Sequence, residues 1–274
     1  MPDPRLRQLL LAAQVVDEID LDIGRDGIVL HTTDGPVTID DATLIEALGG
    51  ARPLGERGRN RIARWLTART RIAGRQGEDL LAAARPIGLP RNHVLHPGDG
   101  FVLERVLGAS LDLGLGVLGL NPATPEEVTP LPASLWRVAG VVPEQVWPAA
   151  LEVLERMGAL AARRWELDPA CLLRPMGDCD VVTLLGSSTL RGALVADCDG
   201  MCAAIVPMRV RGWTRLSRLD PAFGPAAAAA TPPEQRGFAR PLLITAAEVT
   251  QVRPGGSPIS LALSDPAPAE QAWH

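Results

Sequence analysis

At 274 residues the chain is long enough for one large domain or two of medium size, and its 46% hydrophobic content is ample for a buried core. The net charge is −5, and all 27 basic residues are arginine; with no lysine and no tyrosine, a Schiff-base lysine, a pyridoxal-phosphate lysine, a phosphate-loop lysine and a tyrosine acid or base are excluded. Three phenylalanines leave little for a base-stacking platform, and four cysteines behind an N-terminus without an apolar leader segment point to reduced thiols and a cytoplasmic location.

In chain order, Leu6, Leu9, Leu10, Ala13 and Val16 recur at helical spacing and predict an opening amphipathic helix over 5–17. Strands are expected at 21–23, 28–31 and 37–39, and Asp40 or Asp41 should cap a short helix that ends at Gly49-Gly50. A basic helix is expected over 57–75 and another from 78 to 84. Residues 85–100, with three prolines, read as a loop. A strand at 101–107 and a glycine-rich strand or turn at 109–120 follow. This apolar stretch is interrupted by Asp112 and falls short of the ~20 residues of a bilayer span, so no transmembrane helix is expected.

Prolines at 122, 125, 130 and 132 mark a seam, dividing a mixed α/β module (1–125) from a second module (126–252) and a flexible tail (253–274). The second module should open with a helical hairpin, 132–138 and 148–165. Strands are expected at 181–185, 191–196 and 201–210, then a helix from Asp220-Pro221 through the 226–230 alanines, and a last strand within 241–252. The fold class is therefore α+β: an N-terminal hairpin/helix module, a central helical hairpin and a C-terminal antiparallel sheet.

Four features carry chemical potential. Gly114-Leu115-Gly116-Val117-Leu118-Gly119 has the dinucleotide-loop spacing, but the prolines at 122 and 125 oppose the helix that must follow, so no NAD is expected and close backbone packing explains the glycines better. On the basic helix, Arg57, Arg61, Arg64, Arg71 and Arg75 share one arc beside an apolar one. Residues 51–75 carry a net charge of +7 against −7 for residues 1–50, which favours an intramolecular match or a protein partner over nucleic acid.

The third feature is the Asp/Cys-rich segment 178–202. If 181–185 and 191–196 pair through a Ser187-Ser188 turn, Asp178 falls opposite Asp197. Asp178, Asp180 and Asp197 then share one face, which Cys202 joins if Asp199-Gly200 is likewise a two-residue turn, and the set could hold a divalent cation: oxygen ligands suit magnesium, manganese or calcium, and a thiolate shifts the preference toward zinc. Ordinary turn chemistry and core cysteines account for the same residues. His93 and His96 form the fourth feature and would complete a metal site if their loop folds onto that sheet end.

Two classes of function remain. One is a binding or regulatory protein that works through protein–protein contacts, with a protein partner or a second copy of the chain and no membrane, nucleic acid bound through the arginine helix being the less favoured alternative. The other is a metal-assisted hydrolase with its carboxylates at the 178–202 sheet end.

Overall fold

The computed structural model describes residues 4–25, 27–53, 55–75, 77–106 and 110–252; the tail from Arg253, expected to be flexible, lies outside them. Helix α1 (Pro4–Val16) buries Leu6, Leu9, Leu10 and Ala13, the stripe that its spacing predicts. Strands β1 (Leu21–Ile23), β2 (Gly27–Thr32) and β3 (Gly35–Asp40) form an antiparallel sheet in which Leu30 lies opposite both Leu21 and Val37. Helix α2 (Asp41–Leu48) begins where the Asp40 carboxylate accepts from Thr43 N at 2.8 Å and ends at Gly49, left-handed with φ 53°. Two further helices follow, α3 (Glu56–Ile72) and α4 (Gly77–Ala83).

The stretch expected to be a loop begins instead with a strand, β4 (Ala84–Pro90), paired along its length with β6 (Leu111–Leu118). Its prolines mislead because they cost the ladder nothing. Gly88 N points away from β6 and donates to Thr183 Oγ1 at 2.9 Å, so by strand alternation the nitrogens of Pro86 and Pro90 also face the edge that makes no ladder. Strand β5 (Glu104–Val106), shorter than expected, and β7 (Val128–Pro130) lie along the other side of β6, so a ladder crosses the 125/126 division. The glycine motif is a strand with close neighbours: a Cβ on Gly114 would fall 2.3 Å from Phe101 O, and one on Gly116 2.6 Å from Thr129 O.

The helical hairpin is α5 (Ala133–Val138) and α6 (Pro143–Leu167), the latter starting five residues before its expected beginning, with Pro143 in its first turn. Beyond the short β8 (Leu172–Leu173), two expected strands are helices, α7 (Val181–Leu184) and α8 (Ser188–Ala196). The β-branched Val181-Val182-Thr183 reads as a strand, and because every residue of α7 is buried no polar stripe betrays a helix. Caps decide the outcome: Asp180 Oδ1 accepts from Thr183 N at 2.8 Å and Ser187 Oγ from Leu190 N at 3.2 Å.

Strands β9 (Met201–Met208) and β10 (Arg211–Trp213), helix α9 (Phe223–Ala230), and the hairpin β11 (Leu242–Thr245) and β12 (Val249–Gln251), where one strand was expected, complete the chain. The C-terminal sheet runs β12-β11-β9-β10-β8, antiparallel throughout. Strand β6 serves two cores. Leu115 and Val117 pack with α1, α2, α3 and α5, whereas Leu111 and Leu113 pack with α6, α7, α8 and the C-terminal sheet.

Candidate binding cleft

On α3, Arg61, Arg64, Ala68 and Arg71 follow one another at three- and four-residue steps, so the small Ala68 leaves a gap between long basic side chains. Residues 94–97, the 121–127 loop and β7 close that gap into a cleft of about 250 Å³, which Ala47, Trp65 and Leu135 also line. The loop holds its shape through Asn121, whose side chain donates to Thr124 Oγ1 at 3.0 Å and accepts from Ala123 N at 3.3 Å.

Most of the arginine arc is turned onto the chain's own backbone. Arg61 donates to Leu48 O (2.7 Å), Gly49 O (2.5 Å) and His96 O (3.3 Å), satisfying the end of α2. Arg64 donates to Val94 O and lies 3.7 Å from the Glu234 carboxylate; burial lowers its pKa, and Glu234 draws it back up. At the ends of the helix and outside the cleft, Arg57 donates to the Asn92 side chain at 3.0 Å and Arg75 to Gly119 O at 3.2 Å. Arg71 is half-buried in the cleft wall and makes no hydrogen bond or ion pair among the described residues.

The histidines are buried beside this cleft. His96 Nδ1 accepts from Gly98 N at 3.1 Å, which leaves the proton on Nε2 to donate to Asp112 Oδ2 at 3.1 Å. Asp112, 1% exposed, also accepts from Arg105 Nε at 3.0 Å; the charge that interrupts the apolar run is thus paired inside the core. Burial lowers the His96 pKa, opposed by Asp112. For His93, burial and then Arg209 push the value down to about 3, and Nδ1 accepts from Leu95 N at 3.1 Å. Both rings are neutral, and three of their four nitrogens are committed to structural hydrogen bonds, an arrangement suited to holding the 91–98 loop rather than to proton transfer.

The expected carboxylate face does not form, because α7 and α8 replace the hairpin that would align it. Asp178 pairs with Arg85 at 2.7 Å. Asp180 caps α7 and forms an ion pair with Arg209, whose guanidinium also donates to Gly88 O at 3.0 Å. Asp197 is exposed at the end of α8, and Cys202 is buried on β9 opposite Ile244. Arg209, the partner of Asp180, is also the cation that helps hold His93 neutral, so a guanidinium occupies the surroundings that the histidine loop was expected to complete as a metal site. Among the described residues no three His, Cys, Asp or Glu side chains gather as a metal would require.

Asp178, Asp180 and Arg209 instead line a second cleft, of about 500 Å³, which shares Leu95, Glu127, Val128 and Glu234 with the first. Glu127 and Glu234 escaped the sequence reading because tertiary folding alone brings them into the cleft of the α3 arginines, where Glu234 approaches Arg64. Asp112 did leave a signal, a lone carboxylate within an apolar strand. Compared with models of known protein families, with curated proteins and with solved structures, the chain matches none of them.

Proposed function

We propose that this chain is a non-catalytic binding protein that takes an acidic segment of a protein partner into the cleft between α3 and residues 94–97 and 121–130. The supporting observation is Arg71. In a cleft whose other two arginines are fixed by the chain's own carbonyls, this guanidinium is half-buried and without a partner among the described residues. Partial desolvation of an unpaired cation is a cost that a bound anion offsets.

Nucleic acid is the poorer fit, since the chain is net negative and Arg57, Arg61, Arg64 and Arg75 are engaged within it. The hydrolase reading has no comparable support: Asp178 and Asp180 line one cleft but are each paired with an arginine, while Asp197 is exposed at the end of α8 and Cys202 is buried on β9. Selection of random dodecapeptides displayed on phage, against the full chain and against Arg71→Glu, tests the proposal. Sequences enriched in Asp and Glu should emerge on the wild type and not on the variant; identical selections from both would sink it.

A further inference from the structure

Resting on that binding reading, we infer that the group of the acidic segment recognised in the α3 cleft is a single carboxylate carried on an apolar body, rather than a phosphate. The argument is one of charge count and shape. Three guanidiniums, of Arg61, Arg64 and Arg71, and two carboxylates, of Glu127 and Glu234, line the cleft, leaving one positive charge in excess. His96 adds none, since its Nδ1 is occupied by Gly98 N–H and its burial disfavours protonation.

A carboxylate matches one excess charge and presents two oxygens to the planar fork of Arg71. A phosphate monoester brings about 1.5 to 2 negative charges at neutral pH and meets repulsion from Glu127, whose carboxylate has no partner among the described residues. Part of the remaining wall is apolar, with Trp65, Leu95, Val128 and Leu135 interrupted by Thr67, Asn121, Thr124 and Thr129 around a space of about 250 Å³. That is the size of one side chain or a short alkyl acid, below the usual range for larger ligands. Arg71 is therefore the recognition residue, and Glu127 the residue that sets the permitted charge.

Calorimetric titration of the full chain with hexanoate, hexyl phosphate and hexylamine tests this with matched apolar tails. Hexanoate should bind, hexyl phosphate several-fold more weakly, and hexylamine not at all. Arg71→Gln should weaken hexanoate about 10- to 100-fold, the loss of a charged hydrogen-bonded pair, with Arg71→Lys falling between. Glu127→Gln, which raises the excess charge by one, should move the preference toward hexyl phosphate.

Equal or tighter binding of hexyl phosphate by the wild type, or an unchanged preference in Glu127→Gln, overturns the single-carboxylate inference. The Arg71-dependent peptide selection would then still stand, and with it the binding function. If neither the peptides nor hexanoate respond to Arg71, both fail.

Discussion

Replacing Gly158 by alanine is expected to destabilise the protein, and the same change at Gly192 to stabilise it, although both glycines lie within helices. Propensity alone favours alanine by roughly 1 kcal/mol at either place. At Gly192 nothing lies within 4 Å of the new Cβ, so much of that gain should be realised. At Gly158 the Cβ would sit 1.9 Å from Ser187 Oγ and 2.4 Å from Ser187 Cβ. Rotating Ser187 relieves only the Oγ clash, since its Cβ is fixed to the backbone, so α6 and the start of α8 must part. Overpacking of this kind costs about 1–3 kcal/mol. Displacing the Ser187 Oγ as well forfeits its bonds to Glu155 (2.8 Å) and Leu190 N (3.2 Å), and with them the α8 cap, for about 1 kcal/mol more. After the propensity gain is subtracted, Gly158→Ala should lose about 1–3 kcal/mol and Gly192→Ala should gain ~0.5–1 kcal/mol. Guanidinium denaturation followed by circular dichroism measures both. A Gly158→Ala protein as stable as the wild type or more so would refute the close helix crossing.

Asp180→Ala should cost about 2–4 kcal/mol, because it strands the buried Arg209 and uncaps α7, whereas Asp197→Ala at an exposed helix end should stay within ~0.5 kcal/mol; the same denaturation curves decide. His93 has a folded-state value of about 3 against an ordinary 6.5, so the unfolded chain takes up its proton first. Its contribution to stability is then complete above pH 6.5 and declines as pH falls toward 3, and His93→Gln should flatten the slope of stability between pH 6.5 and about 5, before most carboxylates titrate. Brief alkylation of the native protein, read by peptide mass, should label the exposed Cys198 first. Cys179 and Cys202, buried and with thiols raised to about 12 and 11, should react only after unfolding, and early labelling of either would contradict their burial.

Most helices with one face in solvent were legible from sequence, α8 being the exception. The stripes of α1, α3 and α6 and the caps of α2 record a partition between water and core in the order of residues. Of the expected arc, Arg61, Arg64 and Arg71 do line one side of α3, whereas Arg75 lies past the helix end at Ile72 and Arg57 outside the cleft. What those arginines meet was not legible, since the carbonyls of Leu48 and Val94 and the carboxylate of Glu234 come from distant segments.

Taken alone, the sequence determined the α+β class, the amphipathic helices and the excess of arginine over acid on α3, because local periodicity and charge are written residue by residue. Tertiary structure decided the rest. It turned a buried β-branched run into α7 through an aspartate cap, let prolines stand in β4 because one strand edge makes no ladder, and set Asp178 and Asp180 on arginines instead of on each other. It also left Arg71 without a partner among the described residues, since hydrogen bonds and ion pairs depend on proximity in space, which spacing along a chain does not specify.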